Sequence, residues 1–323
     1  MALVVDRYLD ELLCDAERLE TCLFVTSGKE WGLLAGRVRS GELVNPRRGL
    51  YARAAYWRGL NTAERALHMA RALGILHQRW VFSHATAAYA HGLWASWRYA
   101  DPLHYRVGGE GTKVSEGIVR HGTSWSVDVW ESRCLRVTSP ADTLFDCSVS
   151  MPLRDALPVV DSAVRLGVLS RPALVALCEA SAGRRGARML RRVVGHVDER
   201  SESGGESFVR GVLLEQGYRI ADLQRVVPDI ERPGHTRRLD IVLERRNGGL
   251  LDLEVDGRQK YEDERLTRGR DLTKLAMDER RREAGITALG YSVMRTTPRL
   301  AAHSRDFARR LARYGVFPEG ASE

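Results

Sequence analysis

The chain has 323 residues, 44% hydrophobic and 28% charged, with 50 Lys and Arg against 42 Asp and Glu for a net charge of +8. At roughly 100 to 200 residues per domain, this length predicts two or three domains with real cores and excludes a disulfide-stapled miniprotein. Ordinary apolar content, with no uninterrupted stretch approaching about 18 apolar residues, excludes a disordered chain and a membrane-spanning helix.

The basic surplus favours a polyanionic partner. Only Lys29, Lys113, Lys260 and Lys274 are lysines, so part of the arginine richness reflects codon composition, and the placement of charge carries more than its sum. The N-terminal MALVVDRYLDELLCDAERLE offers no basic segment followed by an apolar one, so no secretory signal is expected and the expected location is the cytoplasm. Cys14, Cys22, Cys134, Cys147 and Cys178 are odd in number and lack a C-x-x-C pair, which argues against a disulfide framework and a zinc knuckle and reads as mostly small buried hydrophobes.

Taken in chain order, Leu9, Leu12, Leu13, Ala16 and Leu19 have helical spacing over 6–20. Ser27 with Glu30 forms the capping box of a second helix ending near Gly41. Pro46 and Gly49 punctuate LVNPRRGLYARA into short strands at 43–44 and 50–52, the outline of a winged helix over 1–60. Arg37, Arg39, Arg47, Arg48, Arg53 and Arg58 stand there against Glu42 alone. Such a stripe suits DNA phosphates, with Arg37, Arg39, Arg47, Arg48 and Arg53 as candidate contacts; the competing reading is a solvated arginine-rich surface.

Residues 61–198 alternate helical and short strand patterns, a helical or mixed middle region. His84 and His91 share one helical face by spacing, but nothing nearby offers a third or fourth ligand, so they read as core or surface histidines. VTSPADTLFDC at 137–147 predicts an extended lead-in and a helix beginning at Pro140, with Leu144 and Phe145 inward and Asp142 and Asp146 on a solvated face. A basic run, Arg184 to Arg192, then gives way to HVDERSESGGES, whose polar composition predicts a boundary near 199.

In the last part, 199–323, Ser203 and Glu206 make a capping box for a helix stopped by Gly217. Two alternating strands follow, RRLDIVLE and LLDLEVDG, joined by a turn at 246–249. Period two places Asp252, Glu254 and Asp256 on one face, opposite Leu251, Leu253 and Val255. A three-residue loop pairs Asp240 with Asp256, and a five-residue loop, 245–249, pairs it with Glu254. Like charges about 4 Å apart repel by roughly 1 kcal/mol in water and about 4 at an effective dielectric near 20, so the cluster requires protonation, cationic neighbours or a divalent ion. Oxygen donors favour Mg2+ or Mn2+, which suits phosphodiester hydrolysis. Lys260 adds a phosphate- or water-positioning charge. The competing reading is the outward face of an amphipathic hairpin, with Glu206 a capping residue.

The residues from Ser201 to Glu206, Gln224 to Val227 before Asp240, LEVDGRQKY, ERRREA at 279–284 and GYSVMRTT at 290–297 together resemble the very-short-patch-repair-like endonuclease domain of the PD-(D/E)XK superfamily. The resemblance implies a mixed sheet flanked by helices and Mg2+-dependent DNA cleavage. Asp240 would be the metal-binding Asp, Glu254 the acid of the (D/E)XK element, Glu206 the acid of the first helix, and Glu279 with Arg282 a charged helix facing the site. Asp256 stands where that pattern has lysine, which leaves water activation to Lys260, to a second metal or to nothing.

Upstream, RSGELVNPRRGLYARA resembles the wing of AbiEi-type antitoxins. WVFSHATAAYAHGL and VTSPADTLFDC resemble the middle of bacterial proteins that join such an N-terminus to a nuclease-like end. This implies a rival function: a DNA-binding regulator or antitoxin with a nucleotidyltransferase toxin as partner and a catalytically inactive nuclease-like domain. The overall expectation is an α/β protein, α+β taken as a whole, that binds DNA.

Overall fold

The computed structural model describes residues 2–25, 28–123, 128–256 and 272–320. It divides the chain into two compact units, Met1–Ser150 and Met151–Glu323. Both mix helices with sheets, the α+β arrangement expected. The expected boundaries near 60 and 198 fall inside these units. None of the described helices is long and apolar enough to cross a membrane.

The first unit opens with α1 (Ala2–Arg18), β1 (Leu23–Phe24), α2 (Gly28–Arg39) and a hairpin of β2 (Leu43–Arg47) and β3 (Leu50–Arg53), in sheet order β1-β3-β2. This helix, strand, helix and two-stranded wing enclose Leu9, Leu13, Ala16, Leu34, Leu43 and Tyr51, so the apolar stripe of the first helix is the core face. Leu19 departs from that stripe: it lies past the end of α1 and is exposed. Ser27, and with it the expected capping box, lies outside the described residues.

Next come α3 (Ala54–Gly59), α4 (Thr62–Leu76), β4 (Val81–Phe82) and α5 (His84–Ala90). The start of α4 is fixed by Asn61, whose side-chain Oδ1 accepts the Glu64 N–H at 3.0 Å while Glu64 Oε2 accepts the Asn61 N–H at 2.7 Å. Strands β5 (Leu103–Ser115), β6 (Ile118–Thr123), β7 (Val129–Ser132) and β8 (Leu135–Thr138) complete a second sheet, ordered β6-β5-β4-β8-β7, and α6 (Pro140–Ser150) closes the unit.

Pro140 does begin α6, and Leu144 and Phe145 are buried. Asp146 corrects the expectation of a solvated acidic face: it is 1% exposed and paired with Arg106 of β5, because the helix packs with that side against the unit's interior. His91 also departs from its expected face, since α5 ends at Ala90 and the His91 Nε2 donates to the Thr138 carbonyl at 2.9 Å. Of the cysteines, Cys22, Cys147 and Cys178 are buried as small hydrophobes, and Cys14 and Cys134 are exposed.

The second unit begins with α7 (Leu153–Arg165), α8 (Arg171–Ala180), α9 (Ala187–Gly195) and α10 (Gly204–Glu215). The polar segment between α9 and α10 is anchored at two points: the Asp198 N–H donates to Asp161 at 2.9 Å, and Arg200 pairs with Asp222 at 2.9 Å. Helices α7 and α10 pack so closely that a Cβ on Gly211 would lie 2.5 Å from the Arg154 Cα. Only glycine permits that approach.

A four-stranded sheet follows, ordered β12-β11-β10-β9 from β9 (Ile220–Pro228), β10 (Thr236–Glu244), β11 (Leu250–Val255) and β12 (Tyr291–Thr296). Strands β9, β10 and β11 are antiparallel neighbours, whereas β12 runs parallel to β11. A parallel pair needs a crossover, and α11 (Leu272–Ala288) lies within it. The sheet face bearing Ile241, Leu243, Leu251, Leu253 and Met294 packs with Val209, Val212 and Leu213 of α10, Ala301 of α12 (Pro298–Ala302) and Phe307 and Leu311 of α13 (Ser304–Arg313). The opposite face carries Val242, Val293 and Tyr291 against Ile286 of α11. Both faces are therefore covered, which decides what happens to the acids.

Candidate carboxylate site

The β10–β11 register pairs Ile241 with Leu253 and Val242 with Asp252, which is the five-residue loop. Continued by one step, that register places Asp240 across from Glu254. The turn is closed by Arg245 N–H to Gly249 O at 2.8 Å, with Gly248 at φ 81° where a side chain would be strained. Asp240 is held where the strands end: its Oδ2 accepts the Val255 N–H at 2.9 Å. That bond fixes the carboxylate beside the end of the acidic stretch, at the residue between Glu254 and Asp256.

Contrary to the competing reading of an outward amphipathic face, the acids of β11 lie inward. Asp252 is 0% exposed and Glu254 6%, because the crossover helix covers this side of the sheet. Arg282 of α11 reaches Glu254 Oε1 at 3.0 Å, and Arg295 of β12 reaches its Oε2 at 3.2 Å. Arg282 thus faces the acids as the resemblance implied; the Glu279 side chain lies outside the described residues, as does Lys260.

Burial raises the Glu254 carboxyl above its ordinary value while the two guanidiniums pull it down and Asp240 and Asp256 push it up. Asp252 is pushed up to about 8 by burial first, then by Glu254 and Asp240. Neither of its carboxylate oxygens has a hydrogen-bond partner among the described residues. Sequence reasoning placed Asp252 on the acid face without giving it a role, and its signal was the strict alternation with Leu251 and Leu253.

Glu206 sits near enough to Asp240 to feel its charge, but its oxygens are occupied. Oε1 accepts from the Ser203 hydroxyl at 2.9 Å, and Oε2 accepts from the Glu202 N–H at 2.8 Å and from Gln224 Nε2 at 3.0 Å. This is the work of a capping residue that also tethers Gln224 of β9.

Asp252 and Glu254 feel the Arg282 and Arg295 guanidiniums as well as the Asp240 carboxylate, and Glu254 also that of Asp256, so acids and arginines gather here among the described residues. The donors are all oxygen, and Asp252 is a buried carboxyl whose oxygens lack partners, so a hard divalent cation fits this group. The three acids expected to hold it, Asp240, Glu254 and Asp256, do not close into one tight set. Among the described residues the group whose ligand atoms all lie within 4.8 Å of one another is His84, His104 and His121. Mg2+ takes one or two carboxylates and keeps several waters, so Asp240 and Glu254 suffice.

In the winged-helix region, internal partners claim much of the arginine stripe. Arg37 pairs with Asp10 at 2.6 Å and with Glu42, and holds both carboxyls below their usual range. Arg53 pairs with Glu17 at 3.3 Å and donates to the Asp10 carbonyl at 3.1 Å. Arg47 pairs with Asp101 at 3.2 Å and bonds the Glu116 carbonyl. Arg39, Arg48 and Arg58 are exposed.

Compared with protein-family models the chain matches none, and no curated protein matches it.

Proposed function

We propose that the C-terminal part of the chain is a divalent-metal-dependent phosphodiesterase domain acting on DNA, and that the N-terminal winged helix docks the protein on DNA. The observation that carries this reading is that Asp240, held by the Val255 N–H, stands across from the buried Glu254 beside Asp252, whose oxygens have no hydrogen-bond partner among the described residues. Asp240 and Glu254, with Asp256 beside them, would hold Mg2+ or Mn2+. When bound, such an ion supplies charge neutralisation at a phosphate and lowers the pKa of water.

The chain's own residues do the positioning. The Val255 N–H orients Asp240, and Arg282 and Arg295 fix both oxygens of Glu254. Asp252 is raised toward the neutral form by burial first and then by the Glu254 and Asp240 charges. In the winged helix Arg39 and Arg48 remain exposed for phosphate contact, whereas Arg37, Arg47 and Arg53 hold the fold together.

A second reading is favoured by the clasp on Glu254 and by Asp256 standing where the resembled pattern has lysine. Under it the domain is an inactive platform of an AbiEi-like regulator or antitoxin, whose partner would be a nucleotidyltransferase toxin. Incubating the full chain with plasmid, linear and mismatched DNA in Mg2+ or Mn2+ separates the two. The nuclease reading expects cleavage that EDTA abolishes; retention of intact DNA with every substrate and both metals would establish the inactive platform instead.

A further inference from the structure

The other concentration of chemistry lies in the first unit, where three histidines from three separate elements meet. His84 begins α5, His104 lies on β5 and His121 on β6. The β5–β6 register pairs His104 with Val119 and Arg106 with His121, so by period two His104, Arg106 and His121 share one sheet face. Helix α5 packs against β5, and α6 packs against α5, bringing His84 and Asp146 over that face.

His104 Nδ1 and His121 Nε2 face each other at 2.9 Å. The His84 ring stacks on His121 with centroids 3.9 Å apart and lies 5.1 Å from His104. One ligand atom from each ring falls within 4.8 Å of the other two. Three nitrogens bound tetrahedrally at about 2.0 to 2.1 Å from one ion lie roughly 3.3 Å apart. The 2.9 Å between His104 and His121 is close to that value and the third nitrogen lies within 4.8 Å of both, so ligation asks the His84 ring to turn out of its 16° stack on His121.

The surroundings suit a cation. His84 is 7% exposed and has φ 53°, a left-handed backbone that favours glycine, so packing holds its ring in place against an unfavourable local conformation. Asp146, paired with Arg106, lies 3.5 Å from His84 Nδ1, and the Ser83 hydroxyl lies 2.9 Å from the same nitrogen. A carboxylate on the far nitrogen of a ligating imidazole is the usual device that fixes its tautomer. Burial holds His104 and His121 down to about 4 and His84 well below its ordinary value, so all three rings are neutral at pH 7 with lone pairs to donate.

We propose that His84, His104 and His121 form a binding site for a transition-metal cation of the zinc class, with three imidazole donors and a fourth position open to water or a ligand. Imidazole nitrogens select Zn2+ and its first-row neighbours over Mg2+, so this site is chemically distinct from the carboxylate group and does not depend on its activity.

The test uses the full chain, stripped with a chelator, reloaded with Zn2+ and passed through gel filtration. A single equivalent retained per chain is expected, with zinc-edge X-ray absorption reporting three imidazoles, and Co2+ substitution giving the intense visible bands of a tetrahedral site. The His104→Gln/His121→Gln variant loses these signals, whereas His91→Gln, which alters a half-buried histidine outside the group, keeps them. The wild-type spectra stand alone if the double variant does not fold. Folded wild-type chain that retains no Zn2+, a zinc-edge spectrum of oxygen ligands, or undiminished uptake by a folded double variant would overturn the proposal.

Discussion

Glu254→Gln is expected to lower metal-dependent DNA cleavage by about two to four decades while leaving the chain folded. An ion that neutralises phosphate and activates water contributes several kcal/mol to the transition state, and each 1.36 kcal/mol is about tenfold in rate. Glutamine keeps the volume of the 6% exposed side chain, and its amide oxygen still accepts from one of the two guanidiniums, while the other loses its acceptor to an NH2 and turns to water, both arginines being partly exposed. What it removes is the negative charge that faces Asp240. Initial rates on plasmid DNA beside the wild-type chain measure the effect, with circular dichroism to check the fold. Equal rates would remove Glu254 from the site and leave any activity to other residues.

The largest stability effect is expected at a buried ion pair far simpler to interpret. Arg210 of α10, 4% exposed in its side chain, pairs with Asp161 of α7, which is 0% exposed, and also donates to the His196 carbonyl. Burial pushes the Asp161 carboxyl up while Arg210 pulls it down. Arg210→Ala leaves that carboxylate with the Asp198 N–H but without its countercharge. Breaking one side of such a pair costs roughly 3 to 5 kcal/mol, whereas replacing both sides by apolar groups of similar volume is often neutral. Urea denaturation should therefore show a large loss for Arg210→Ala and a much smaller one for Asp161→Leu/Arg210→Met. Amide hydrogen exchange in α7 and α10 should place that loss locally. A single variant within about 1 kcal/mol of wild type would mean that the pair is solvated in solution.

Much of the second unit's hairpin was legible in the sequence because period two is a strong signal: Leu239, Ile241 and Leu243 against Asp240 and Glu244, and Leu251 and Leu253 against Asp252 and Glu254, fix which residues share a face. The loop length, which spacing left open, is set by the Arg245–Gly249 turn. That the acid face is buried was not legible. Burial comes from the parallel pairing of β12 with β11 and the helix within the crossover, whose run of Asp, Glu and Arg gives little sign that Ile286 packs on the sheet while Arg282 meets an acid there.

The same limitation governed the arginine stripe. Counting charges over 37–58 leaves out Asp10, Glu17 and Asp101, which the fold brings to Arg37, Arg53 and Arg47 from before and after the stripe. Asp146 looked solvated because its partner, Arg106, is forty residues away on another element. His84 was compared with His91, its neighbour in sequence, when its neighbours in space are His104 and His121 on adjoining strands. Local periodicity says which way a side chain points, and only the tertiary pairing says what it meets.

Whether Asp240 and Glu254 jointly hold a hard divalent ion is decided by Mn2+ titration of the full chain followed by electron paramagnetic resonance. Wild-type chain should quench the signal of free aqueous Mn2+, Mg2+ should restore it by competition, and Asp240→Asn should weaken binding by at least about tenfold, since even partners one shell removed from a metal cost about 10- to 100-fold. Mn2+ uptake that Mg2+ does not displace, uptake unchanged in folded Asp240→Asn, or none by the wild-type chain would contradict joint binding.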